Sequence, residues 1–110
     1  MTHNVVEAGD IEARHGVFRA LSEPLGVHAF RVNQLEFPPE HEGPEHDHTG
    51  DGQEEVYVVI SGEGAFRVGG EEISLKPGSY VFCSPESRRQ IKAGGEGLVY
   101  VGIGAPRRDE

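Results

Sequence analysis

From Gly26 onward, short apolar runs that alternate with polar residues recur every eight to twelve residues, each closed by a glycine or proline turn, with no helical period. Side chains on a strand point to opposite faces in turn, so this pattern predicts many short strands folded into a sandwich or barrel. In VHAFRVNQLEF, Phe30 and Val32 share one face, Leu35 and Phe37 continue it after an offset that predicts a bulge near Asn33, and Pro38-Pro39 stops the strand. VYVVI, residues 56–60, is apolar on both faces and fits a central strand covered from two sides. Ser61-Gly62-Glu63-Gly64 is expected to turn, and Gly69-Gly70 marks a two-residue hairpin between Phe66/Val68 and Ile73/Leu75. Lys76-Pro77-Gly78 fits a type II turn, since proline sets φ and glycine accepts the positive φ that follows. Then come SYVFCS, ended by Pro85, a turn at Gly94-Gly95-Glu96-Gly97, and a last strand in LVYVGIG.

The chain has 110 residues, enough for one domain that buries about two-thirds of its unfolded surface. Glycine and proline together supply about a fifth of it, against roughly 12% ordinarily, as turn-rich strands require. We expect residues 1–25 to form an N-terminal arm and an edge strand near Val17–Leu21, residues 26–104 the barrel, and residues 105–110 a frayed tail. A single cysteine, Cys83, excludes an internal disulfide and is expected as a small buried hydrophobe rather than a reactive thiol. No apolar leader follows Met1 and no run of 18 apolar residues occurs, which predicts a cytoplasmic protein with no membrane partner. The formal net charge of -9 argues against nucleic acid, whose binding needs a basic stripe.

The chemistry concentrates in HEGPEHDHTGDGQEEVYVVISG, residues 41–62. In an extended segment His46 and His48 point the same way and Asp47 the other, so both imidazoles can meet one ion. The glycines and aspartate of residues 49–53 let the chain reverse and lay Glu55 beside the pair. Two imidazoles and a carboxylate suit a divalent ion: Fe(II), with Zn, Mn, Ni or Co as alternatives. His41 stands close enough to be a further donor, whereas His3 and His28 are expected as surface or packed residues. Tyr57 shares a face with Glu55 and Val59 and is expected to line the same interior.

Charge distribution bears on the same stretch. Between Arg31 and Arg67 there is no Lys or Arg, yet nine acids fall there, and the rest of the chain is balanced. Charges this dense repel by roughly 1 kcal/mol per pair at 4 Å in water, which a bound cation would relieve; a solvated acidic loop is the alternative.

His46-x-His48, then Glu55, then six residues to Gly62, resembles the first signature of the cupin superfamily. LKPGSYVFCSPESRRQI resembles its second: a Pro-Gly turn, a strand, a proline, and a further strand that normally carries a third metal histidine. Family spacing from Pro85 puts Gln90 at that place, with Arg88 and Arg89 just before it. The resemblance implies an all-β double-stranded β-helix, or jelly roll, with a pocket inside, commonly paired as a homodimer. It also makes Gln53 a runner-up ligand, because some small cupins place an amide near there.

Two functions follow. In the first, His46, His48 and Glu55 hold a metal ion while Tyr57, Gln53 or Gln90 orient a small-molecule substrate for isomerase, lyase or dioxygenase chemistry. In the second, the pocket is metal-free and non-catalytic, and Arg88 or Arg89 points inward, neutralises Glu55 and captures a small anion. No serine or cysteine stands in a recognisable nucleophile setting.

Overall fold

The computed structural model describes residues 2–108. A 3-10 turn at Ala8–Asp10 leads into strand β1 (Ala13–Arg14), β2 (Phe18–Ala20), a one-turn helix α1 (Ser22–Leu25), β3 (Arg31–Phe37), β4 (Gln53–Val68), β5 (Glu71–Leu75), β6 (Tyr80–Cys83) and β7 (Arg89–Pro106). The sheet order is β1-β2-β3-β7-β4-β5, with β6 on β4, and every pairing is antiparallel. This is the all-β fold that the strand spacing predicts, in the double-stranded β-helix arrangement that the resemblance implies. No helix among the described residues is long and apolar enough to cross a membrane.

The two long strands organise the barrel. β4 pairs with β7 from Gln53↔Pro106 to Val68↔Arg89, flanked by β6 over its first half and β5 over its second. The expected turns at Ser61–Gly64 and Gly94–Gly97 are not turns. Both segments lie inside these continuous strands, where the register shifts between Val59 and Ser61 and again between Gly62 and Gly64. Glycine clusters serve there as bulges that bend a strand rather than end it.

Gly62 shows why the bend needs glycine. Its φ is +83°, and a Cβ placed on it would lie 2.1 Å from the carbonyl oxygen of Gly97. Both a left-handed backbone and a backbone collision would burden any side chain there. Gly62→Ala is expected to lower stability by about 2–3 kcal/mol in urea unfolding; a loss below about 0.5 kcal/mol would mean that the bend does not depend on this contact.

Other turns form where the sequence places them. Gly69 and Gly70 both have positive φ and link Val68 directly to Glu71, while Ser79 N–H closes the Lys76–Ser79 turn on Lys76 O at 2.9 Å with Gly78 at φ +90°. Cys83 is buried, and Tyr80 and Phe82 point out of the sheet.

β3 departs from expectation. It runs in unbroken register with β7 from Arg31↔Gly104 to Phe37↔Leu98, so there is no bulge at Asn33, and the exposed Phe30 lies before the strand. Arg31, Asn33, Leu35 and Phe37 share the inward face; the polar pair lines a cavity, where an apolar residue is not required. The helical turn α1 also lacked a period to announce it. Its Ser22 hydroxyl takes the Val32 N–H at 2.8 Å, and the Asn4 amide donates to Pro24 O at 2.9 Å at its end.

The paired framework extends beyond residues 26–104. β1 and β2 join the sheet through Phe18↔Leu35 and Ala20↔Asn33, and β7 continues to Pro106. Asp109 and Glu110, the end of the expected tail, and Met1 lie outside the described residues.

Candidate functional site

Residues 41–48 lie antiparallel along the start of β7. His46 and Arg89 exchange backbone hydrogen bonds at 2.9 Å in each direction, Gly43 N–H donates to Ile91 O, and His48 N–H donates to Pro85 O. Directly paired antiparallel residues present their side chains to the same face, so His46 and Arg89 enter one interior together, with His48 two residues on. β4 brings Glu55 and Tyr57 to that interior from the opposite side. Gly104 and Gly102, their β7 partners, have no side chains to block the space between.

His46, His48 and Glu55 each offer one ligand atom, and the three atoms lie within 4.8 Å of one another. His48 Nε2 is 3.0 Å and His46 Nε2 3.7 Å from Glu55 Oε1. Both imidazoles are held from behind: His48 Nδ1 is 3.0 Å from Asp51 Oδ1, and His46 Nδ1 is 3.1 Å from Pro44 O. Those partners only accept, so each Nδ1 carries the hydrogen. Each Nε2 then turns either a lone pair or a second proton toward the carboxylate. Nitrogen lone pairs aimed at an anionic oxygen require a cation between them, and an outward Nδ1–H on a carboxylate or carbonyl is how metal-binding histidines are commonly oriented. The donor set therefore fits a divalent ion.

Arg89 adds a second cation. Its side chain is fully buried; Nη2 donates to Glu55 Oε1, Nε donates to the Tyr57 hydroxyl at 3.1 Å, and Nη1 donates to Ser87 O at 2.8 Å. Tyr57 in turn donates to Glu55 Oε1 at 2.7 Å. Burial alone would raise the Glu55 carboxyl, but the His46 imidazole, the Tyr57 hydroxyl, Arg89 and His48 outweigh it and hold the group at about 2. Glu55 raises His46 above its ordinary value against the opposing effects of burial and Arg89. Burial, then the Glu55 charge, raises Tyr57, whose proton stays in place.

The remaining sequence candidates separate clearly. Gln53 lines the cavity, and a Cβ on Gly104 would meet its Oε1 at 2.9 Å. Gln90 is on the other face of β7, its amide donating to Gly43 O at 2.9 Å and its oxygen facing Arg67 at 3.4 Å, and it does not line the cavity. Arg89, one residue earlier, is the inward side chain. Strand alternation carried that signal, because Arg89 is in phase with the buried Ile91 and Ala93. Arg88 is exposed and pairs with Glu45 at 2.6 Å. His41 packs against Phe37 with the rings tilted and their centroids 4.5 Å apart, on the cavity wall but outside the three-residue group. Asp51, read from sequence only as a turn former and part of the acidic run, positions His48.

Most of the acidic run does not converge on the site. Glu36 pairs with Arg19, Glu40 with Lys92, Glu42 with Arg67, Glu45 with Arg88 and Glu54 with Arg107, at 2.6–3.7 Å. Basic residues from elsewhere in the chain answer those charges at the surface, where such pairs contribute about 0–1 kcal/mol each.

The group opens into a cavity of about 550 Å³ walled by Val17, Phe18, Leu35, Phe37, Ile91 and Tyr100, a size suited to a small molecule. The family model for the cupin domain matches residues 33–102. Among solved structures, a cupin protein from Bacteroides fragilis is 21% identical, with a TM-score of 0.83 over 100% of this chain and 89% of its own. A sugar phosphate isomerase of the cupin superfamily from Silicibacter pomeroyi gives 0.80 at 16% identity, over 94% of this chain and 76% of its own. A predicted oxalate decarboxylase from Thermotoga maritima gives 0.77 at 21% identity, over 94% of this chain and 100% of its own. No curated protein gives a significant match.

Proposed function

This chain belongs to the cupin domain family, and on that footing we propose that it is a metal-dependent enzyme acting on a small molecule inside the barrel, as an isomerase, lyase or dioxygenase. His46, His48 and Glu55 hold one divalent ion (Fe, Mn, Zn, Ni or Co), with Gln53, which lines the same cavity, as the runner-up ligand. The observation that carries the reading is the fixing of both imidazoles through Nδ1 toward Pro44 O and Asp51, which turns both Nε2 atoms to Glu55. A bound ion supplies Lewis acidity toward a carbonyl or enediol, or a binding place for O2. Arg89 keeps Glu55 ionised, and Tyr57 fixes the orientation of that carboxylate. The likeness to an isomerase and to a predicted decarboxylase supports small-molecule turnover without choosing between reactions.

Asp51 tests the orientation argument. Asp51→Ala is expected to weaken binding of Zn(II) or Co(II) about 10- to 100-fold in calorimetric titration, because His48 loses the acceptor that fixes its tautomer. An unchanged affinity would sink the claim that Asp51 prepares His48 for an ion.

The direct contact between the buried Arg89 and Glu55 favours a second reading, a metal-free binding module. There the guanidinium takes the cation's place, the protein has no turnover, and chelators leave ligand binding unchanged.

The protein is also proposed to be a cytoplasmic homodimer. Phe82, Val56 and Ile103 form one cross-strand row on the outer face of β6, β4 and β7, and Tyr80, Val58 and Val101 form the next. Tyr80 and Phe82 are 74% and 62% exposed, an aromatic surface that a second copy would cover. Tyr80→Glu with Phe82→Glu is expected to convert a dimer to monomer in sedimentation equilibrium; wild-type protein that sediments as a monomer at tens of micromolar would contradict the pairing.

A further inference from the structure

The chain has nine more acids than bases, yet two of the arginines that line the cavity have no acid partner among the described residues. Arg19, Arg67, Arg88, Arg89, Lys92 and Arg107 each lie within 4.0 Å of a carboxylate oxygen. Among the described residues Arg14 and Arg31 have no such neighbour, and neither have Lys76 and Arg108 outside the cavity; both cavity arginines are exposed and acids are plentiful. The acids in the cavity lining, Asp51 and Glu55, are already engaged by His48 and by Arg89. Two unneutralised guanidinium groups facing one concave space form an oxyanion trap, because the planar fork matches carboxylate and phosphoryl oxygens.

The sheet register places each of them. Arg31 pairs with Gly104, and Gly104 pairs on its other side with Glu55, so the three stand in one row across β3, β7 and β4. Two strand spacings put the Arg31 backbone roughly 10 Å from that of Glu55. The residue between them is glycine, which adds no side chain of its own, and the Gln53 amide oxygen, 2.9 Å from where its Cβ would stand, borders the passage. Arg14 enters from β1, with its guanidinium carbon 5.8 Å from the centre of the Phe18 ring that forms part of the wall. Stacking on an aromatic face holds a guanidinium in place while leaving its N–H edge available.

We infer that the cavity takes a small molecule bearing a carboxylate or phosphoryl group, gripped by Arg14 and Arg31 at the mouth while its remainder extends over Gly104 toward Glu55. This rests on the reading of the cavity as a small-molecule site but not on the presence of a metal. It also moves anion recognition away from Arg88, which is paired on the surface, and Arg89, which is committed to Glu55 and Tyr57.

The test is an NMR titration of chelator-treated protein with inorganic phosphate and, separately, with malonate, following the arginine Nε–H signals. Saturable shifts at Arg14 and Arg31 are expected with at least one anion, and the tighter of the two identifies the oxyanion class. Both side chains are exposed, so Arg14→Gln with Arg31→Gln should fold; it is expected to weaken anion binding at least about tenfold. Arg67→Gln, which alters an arginine outside the cavity, should leave binding unchanged. The proposal is overturned if neither anion saturates, if the shifts fall equally on the other arginines, or if the double variant binds like wild type. Anion binding in protein that takes up no metal would sink the metal reading alone. Metal uptake without anion binding would sink this inference alone.

Discussion

Replacing His46 and His48 together with alanine is expected to reduce affinity for Zn(II) or Co(II) by more than about 100-fold, a larger loss than removing an outer partner of one ligand causes. The reason is geometric. Both Nε2 atoms face Glu55 Oε1, at 3.7 and 3.0 Å, and no other His, Cys, Asp or Glu among the described residues joins that group. Without the imidazoles an ion would meet one carboxylate already shared with Arg89 and Tyr57. Neither ring is part of the packed core, since the two side chains are 39% and 22% exposed, so the variant should keep the wild-type circular dichroism spectrum. Calorimetry with either ion measures the effect; a double variant that binds within about threefold of wild type would remove these histidines from the site.

Glu55→Ala is expected to cost about 3–5 kcal/mol of stability in the chelator-treated protein, because it strands a buried guanidinium. Arg89 is 1% exposed, and its Nη2 would lose its acceptor, as would the Tyr57 hydroxyl. The same contact predicts a pH dependence. Glu55 is held at about 2 in the folded chain against an ordinary 4.5. A carboxylate with a depressed folded value stabilises the protein fully above the unfolded value, and that contribution drains away as pH falls from 4.5 toward 2. Its size is about 3 kcal/mol. Urea unfolding of wild type and Glu55→Ala at pH 7 and pH 3 checks both statements. The gap between them should narrow on acidification; a variant as stable as wild type at pH 7 would show that Arg89 finds another partner.

The fold was legible because its information is local. The two-residue hairpin at Gly69-Gly70, the Lys76–Ser79 turn and the alternation in Tyr80–Cys83 are each fixed by neighbours in sequence. Gly62 and Gly97 were harder. Glycine clusters signal a departure from regular backbone, but whether a chain then reverses or merely bends depends on the strand beside it. Here the Gly97 carbonyl packs where a Gly62 Cβ would be. Asn33 misled for a related reason, since a polar residue on an inward face implies an offset only if the interior is filled, and this one encloses a cavity.

The site divides along the same line. His46, His48 and Glu55 were readable from spacing because two short-range rules, strand alternation and a glycine turn, bring them together. Alternation puts Arg89, and not Gln90, in phase with Ile91 and Ala93, but Arg89 lies 34 positions from Glu55, and the pairing of β7 with residues 41–48 is what brings it to the carboxylate. Alternation puts Arg31 in phase with Leu35 and Phe37, but nothing local marks Arg14 or shows that either arginine goes without an acid. Their significance comes from the acids that the fold directs to other bases.

Metal content of untagged protein, purified without chelators after growth in medium supplemented with Fe, Mn, Zn, Ni and Co, tests the central claim most directly. Elemental analysis is expected to find close to one divalent ion per chain, falling to background in the His46→Ala, His48→Ala double variant. A wild-type value near zero would contradict it and leave Arg89 as the cation that Glu55 holds.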